Sequence, residues 1–370
     1  MIDNKLRVAM LVEDDFEDNE LKLPLNALKE AGADVKIVGP YAGREYKGKR
    51  GEVRIKSDLS ILESAAEEFD ALVIPGGGAP DKLRINSNMV QMVKDMCDQG
   101  KPIFAVCHGP QLLIQADLTR GRQMACYASV IKDLENSSGH FINEPVVVDG
   151  QFITARQPGD LPQFCAAILH SLNLAGNDIP RYEDQGIDWC EFGQRWGGHK
   201  KRDIARALNK SVQIEQKMAK FYQDCLRRVE DDDLRSIFEQ AVSAENGHLS
   251  ALQERAQTLA SKRLRASSGG KGPQPEIQTD EPVSIARAAA QTEAIGIDTH
   301  KKLMLLTDPI TVELVASIIR DHTRLERMFM EFALECEGRP SVMRATPAKA
   351  VRSISAGVDR NLMPERTESD

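Results

Sequence analysis

Cysteine pairs at metal-binding or dithiol spacing are missing from this chain. Its seven cysteines stand at 97, 107, 126, 165, 190, 225 and 336, an odd and scattered set without a Cys-x-x-Cys. That spacing speaks against a zinc ribbon, a dithiol redox motif and a disulfide framework. No apolar run approaches the roughly 20 residues of a membrane span, and residues 1–7 lack an apolar leader with a small-residue cleavage site. Positive charge is not in excess either. The formal net charge is -8, which argues against nucleic acid as the main partner. With 41% hydrophobic and 28% charged residues there is no overall signature of disorder. These absences leave a globular chain with no membrane partner, and a reducing cytoplasm as its expected setting.

At 370 residues the chain is long enough for two domains, each with its own core. Up to about residue 173, short β-rich runs alternate with helical spacing. Residues 6–12, 34–38 and 71–74 read as buried strands, residues 21–31 and 86–98 as helices, and Asp149-Gly150 as a hairpin turn between 145–148 and 151–154. A helix over 161–172 closes the unit. Apolar strands separated by helices predict an α/β fold, a mostly parallel sheet sandwiched by helices.

The most informative stretch is 102–113, where a strand-like run stops at Cys107-His108-Gly109 and helical sequence follows. This is the pattern of a nucleophile elbow. A side chain on such a turn projects above the sheet edge, and the helix N-terminus behind it favours the thiolate. Two other loops fall at the same strand ends: the acidic cluster 13–20 and Pro75-Gly76-Gly77-Gly78. Helix capping accounts for most of the acids, with one of them left to face the sulfur. The glycines offer backbone N–H groups to an oxyanion.

Phe16-Glu17-Asp18, Pro75-Gly76-Gly77-Gly78-Ala79-Pro80 and Ala105-Val106-Cys107-His108-Gly109-Pro110-Gln111 together resemble the PfpI family of the class I glutamine-amidotransferase-like superfamily. The resemblance extends over residues 5–173. It implies Cys107 as nucleophile, His108 as its base and Glu17 as the carboxyl group bonded to the sulfur, with Gly77 and the His108 backbone as oxyanion hole. It also implies intracellular peptidase activity, or action on methylglyoxal and early glycation adducts. At one position the chain departs from the family: Asp81 stands where peptidase-type members carry a Glu that orients the histidine across a subunit interface.

Beyond residue 174 strand signals end. Residues 176–202 read as a connecting segment holding Trp189 and Trp196, followed by amphipathic helices at 203–228, 231–260, 282–306 and 309–336. The stretch 261–281 reads as a flexible crossover and 338–370 as a disordered tail. Glu215, Glu245, His248 and Glu293 lie on apolar helix faces, and His300 stands two turns beyond Glu293. This resembles a ferritin-like or rubrerythrin-like four-helix bundle over residues 205–336. The resemblance implies iron or manganese held by Glu215, Glu245, His248, Glu293 and Asp321. The last helix, however, reads Asp321-His322-Thr323-Arg324 where Glu-x-x-His is expected, and Arg cannot bind a cation. The alternative is a bundle whose buried acids form an ion-pair network.

The expectation is therefore a PfpI-like domain (1–175), the connecting segment, an all-α ferritin-like bundle (203–337) and the tail. Its function would be that of a cysteine-dependent stress-response hydrolase of the glyoxalase or deglycase kind, with peptidase activity as a further outcome. Its partners would be a small dicarbonyl, a glycated protein or a peptide, and a second copy in a homo-oligomer, and the PfpI-like domain would need no cofactor. The alternatives are a non-catalytic cysteine redox sensor and metal-dependent peroxide defence through the bundle.

Overall fold

The computed structural model describes residues 5–260 and 280–338. Nearly all of the expected crossover and tail lie outside them. The first half contains β1 (Arg7–Leu11), α1 (Asp18–Glu30), β2 (Asp34–Gly39), β3 (Glu45–Lys47), β4 (Arg54–Lys56), β5 (Leu59–Ser60) and β6 (Ala71–Ile74). These are followed by α2 (Ala79–Leu83), α3 (Ser87–Asp98), β7 (Ile103–Val106), α4 (Pro110–Gln115), β8 (Gln123–Met124), α5 (Ile131–Asn136), β9 (His140–Phe141), β10 (Val146–Asp149), β11 (Phe152–Ala155) and α6 (Leu161–Ser171). Seven strands form one sheet in the order β10-β11-β7-β6-β1-β2-β5. Within it only the β10–β11 hairpin, turning at Asp149-Gly150, is antiparallel.

The uninterrupted apolar strands have a direct packing cause. Along β1, Val8 and Met10 enter the core shared with α1 and α6, while Ala9 and Leu11 enter the one shared with α3 and α4. Successive side chains point to opposite faces, and both faces are covered, so every position must be apolar. The small ladders β3–β4 and β8–β9 lie outside this sheet. Their few residues carry too short an alternation to be read in sequence.

The expected connecting segment is more than a tether. It holds α7 (Trp189–Arg195), and Trp189 and Trp196 are both buried in the core of the α/β domain. The second half consists of α8 (Lys201–Leu226), α9 (Asp232–Leu259), α10 (Pro282–Lys301) and α11 (Pro309–Cys336). Asp231, Glu281 and Asp308 cap α9, α10 and α11 by accepting from Leu234, Ser284 and Thr311 N–H groups. The third helix stops five residues before the expected 306 and continues as a 3-10 turn, Lys302–Leu305. Among the described residues no helix is long and apolar enough to cross a membrane.

The two halves meet where α11 begins. Val312 packs against Gly159 just before α6, and Arg156 bonds both Asp160 and Glu313. Inside the bundle, one apolar cluster holds Leu208, Val212, Leu252, Val315 and Ile318, and another holds Met218, Phe238, Ala289, Leu325 and Phe329. Between them lies a layer of buried acids and histidines.

Candidate functional site

β7 is hydrogen-bonded on both sides, to β6 and β11, and its register delivers Cys107 to the sheet's carboxyl edge. The turn there is held by two backbone bonds, Cys107 N–H to the Ala155 carbonyl and Tyr127 N–H to the Cys107 carbonyl, each 2.9 Å. Cys107 has φ of 60°, a left-handed conformation that is strained for a residue with a Cβ. This is the elbow geometry expected from the sequence. His108 Nδ1 lies 3.3 Å from Sγ, and its Nε2 lies 3.2 Å from Ser129 Oγ. The ring stacks on Tyr127 with centroids 5.1 Å apart. Nothing in the sequence pattern singled out Ser129 or Tyr127, because they arrive from a loop 20 residues later.

The acid against the sulfur is Glu20, which corrects the assignment of Glu17. Glu17 caps α1: its Oε2 accepts from Asn19 N–H at 2.8 Å and from Glu20 N–H at 2.9 Å, and its Oε1 pairs with Arg50. Both oxygens are occupied. Glu20, one turn on, is fully buried; its Oε2 accepts from Gly76 N–H at 2.8 Å and its Oε1 has no hydrogen-bond partner. The carboxyl group and the Cys107 thiol act directly on one another. Gly76 is what allows the approach, since a Cβ there would lie 2.5 Å from Glu20 Oε2 and 2.8 Å from the His108 nitrogen. Gly77, at φ of 79°, meets Glu17 and Asp15 backbone so closely that no Cβ fits.

Burial pushes both groups of this pair well above their ordinary values; after burial Glu20 raises Cys107, whereas Glu17 raises Glu20 and Cys107 lowers it. The turn alone therefore does not make the thiolate, contrary to the sequence expectation. Two acidic groups side by side in a dry site titrate as a pair, and burial favours the protonated form of each. The His108 N–H also bonds the sulfur and favours its charged form. Burial, then Lys49, lowers the His108 imidazole, which keeps it neutral and able to accept a proton. Asp81 lies exposed on α2 and acts on that ring only through its charge, while Ser129 occupies Nε2.

The second cluster is the polar layer of the bundle. Glu215, Glu245, Glu293, His300 and His322 are fully buried, and His248 nearly so. Glu215, Glu245, His248 and His322 offer ligand atoms that all lie within 4.8 Å of one another. Glu293 is saturated by hydrogen bonds from Tyr222 Oη at 2.8 Å and His322 Nδ1 at 2.6 Å. The expected ligand Asp321 is 44% exposed and sits at the rim, where it reaches His248 Nε2 at 3.3 Å and lies 4.0 Å from Arg324. Arg324 points out to Gln240 and Met328. His322 takes the inward place instead, and three residues before it stands Ile319, where a Glu-x-x-His pair would have its acid. The carboxylate-rich set for two metal ions is thus incomplete in this chain.

Comparisons with known proteins follow the same division. The model of the family described as DJ-1/PfpI matches residues 6–171. Over 167 residues the chain is 44% identical to a protein of Escherichia coli named Protein/nucleic acid deglycase 2, covering 45% of this chain and 97% of the relative. Over 159 residues it is 40% identical to General stress protein 18 of Bacillus subtilis, covering 43% of this chain and 92% of that one. Both matches lie within the first domain's length. A solved structure from Anabaena variabilis, a two-domain protein containing DJ-1/ThiJ/PfpI-like and ferritin-like domains, spans both halves. It is 33% identical with a TM-score of 0.82, covering 90% of this chain and 96% of that one.

Proposed function

The chain belongs to the DJ-1/PfpI family, with a ferritin-like domain joined to it, and from that premise we propose that its first domain is a cysteine-dependent enzyme acting on small 2-oxoaldehydes of the methylglyoxal type and on their early adducts. The observation that carries this reading is the convergence of two groups on the sulfur of the strained Cys107: His108 Nδ1 at 3.3 Å and the buried Glu20. The name of the Escherichia coli relative supports the substrate class.

In the reacting form one proton is divided between Glu20 and Cys107. When Glu20 holds it, Sγ is a thiolate and adds to the aldehyde carbon; the carbonyl electrons move to oxygen, which takes the proton from Glu20 to give a hemithioacetal. Neutral His108 then removes the proton on that carbon and returns it to the adjacent one, while Glu20 takes the hydroxyl proton and passes it to the former ketone oxygen; the intervening enediol becomes a thioester of a 2-hydroxy acid. Water adds to the thioester, the C–S bond breaks, and lactate and the thiol are released. We assign the Gly77 and His108 N–H groups to the developing oxyanion. A peptide bond asks more of the histidine, because its amine must be protonated as it leaves. With Asp81 pointing to solvent, small aldehydes are the better match.

The test is lactate formation by the purified full-length protein given methylglyoxal. Cys107→Ala is expected to lower turnover by about 1000-fold or more while the circular dichroism stays unchanged. Turnover surviving in that variant, or its absence from the native protein, would refute the reading.

A further inference from the structure

Between the two domains runs a groove that neither half forms alone. The α/β domain contributes Val146, at the start of β10, and the connecting segment contributes Trp189, on α7. The bundle contributes Leu259, at the end of α9, and Pro309 and Ile310, at the start of α11. These apolar side chains line an open space of about 1000 Å³. Ile310 leaves 56% of its surface in water there, although Pro309 and Thr311 on either side of it are buried.

The charge around this apolar floor has one sign. Each cation at the wall is already matched: Arg156 and Arg255 turn to Asp160 and Asp308, whose side chains are 1% exposed, and Lys201 pairs with Asp188. Glu144, Glu183 and Asp184 stand exposed at the rim and make no ion pair among the described residues. Uncompensated carboxylates over an apolar floor suit a ligand that carries both positive charge and apolar side chains. The groove also lies beside the elbow. Arg156 directly follows Ala155, whose carbonyl holds the Cys107 N–H, and β11 runs next to β7 with Ala155 opposite Val106. Groove and sulfur therefore share the carboxyl edge of the sheet.

We propose that this groove holds the polypeptide that carries an adduct to Cys107, as an extended segment of Lys and Arg residues with apolar residues between them. The assignment rests on the reading of Cys107 as an enzyme of 2-oxoaldehydes and their early adducts. Such aldehydes add to amines and guanidines, so their adducts arise in cationic segments. In an extended segment alternate side chains face opposite ways, which sets apolar residues on Trp189, Leu259 and Ile310 while cationic ones reach the rim acids. Free methylglyoxal needs none of this surface. The bundle thereby serves the first domain's reaction as one wall of a peptide site.

A fluorescent peptide alternating Leu with Lys and Arg, and a counterpart alternating Leu with Glu, are titrated by anisotropy into full-length Cys107→Ala protein, where no chemistry intervenes. The cationic peptide should bind about 10-fold tighter or more at low salt, an advantage that salt removes by screening. Glu144→Gln, Glu183→Gln and Asp184→Asn together should abolish it. With Cys107 present, the same three changes should raise KM for a methylglyoxal-treated cationic peptide about 10-fold, leaving its kcat and the turnover of free methylglyoxal unchanged. Circular dichroism reports folding, and the salt dependence of the unsubstituted protein reads the same charges if the triple variant does not fold. Because binding is read without turnover, an inactive protein that still prefers the cationic peptide would count against the enzyme reading and for the groove. Equal binding of the two peptides, or a preference that the three changes leave intact, would overturn the groove assignment. So would the absence of peptide binding, and self-association lost from the triple variant in sedimentation would then give the groove to a second copy.

Discussion

Glu17 and Glu20 stand one helical turn apart and differ in what each has left to offer. Glu17 spends both oxygens on the α1 N-terminus and Arg50, so Glu17→Gln is expected to cost about 1 kcal/mol of stability and little turnover. Glu20→Gln removes the acid that exchanges a proton with Cys107, and kcat/KM for methylglyoxal should fall about 100-fold or more. Stability should move the other way. Burial raises the Glu20 carboxyl above its ordinary 4.5, so folding takes up a proton, and stability is lost as pH rises from that value through the folded one. The Gln variant has no such loss. Its melting temperature should therefore exceed that of the native protein at pH 8, with the gap closing towards pH 4.5; a gap that widened on acidification would show Glu20 to be stabilised as the anion.

At the scale of the helix, α11 shows how a one-residue rotation changes a site. Its buried positions Val315, Ile318, His322, Leu325 and Phe329 advance by three and four, which is one continuous stripe. Asp321 and His322 both adjoin such a stripe, because neighbouring residues are only about 100° apart around the axis. Periodicity cannot choose between them. Packing does, by setting Ile318 in the cluster of Leu208, Val212 and Leu252 and Leu325 in that of Met218, Phe238 and Phe329. Arg324 is consequently on the outside, 41% exposed. Arg324→His should leave stability within about 0.5 kcal/mol of the native protein in denaturant unfolding; a larger loss would show that position 324 does face the layer.

Across the whole molecule, Arg156 is one of the residues that join the halves. It follows β11, whose Ala155 carbonyl holds the Cys107 N–H, and it reaches both Asp160 and Glu313 of α11. The Asp160 side chain is 1% exposed and that of Glu313 51%, so the two partners differ in worth. Arg156→Ala strands a buried carboxylate and should cost about 3–5 kcal/mol. Glu313→Ala should cost less than about 1 kcal/mol. Denaturant unfolding of both variants checks the order, and equal losses would mean that the exposed interdomain pair carries the linkage.

What the sequence determined by itself was local in character. A strand stopping at Cys107-His108-Gly109, the glycine loop, the Asp149-Gly150 hairpin and the apolar periods of α8 to α11 each depend on a few neighbouring residues, whose conformational preferences are legible in order along the chain. The tertiary structure decided the partners. Which of two acids on α1 meets the sulfur, that Ser129 closes the histidine, and that His322 rather than Asp321 joins His248 and His300 around Glu215 are matters of where distant elements stop against one another. A turn of helix carries several residues within reach of a site, and only close packing from the other side selects one.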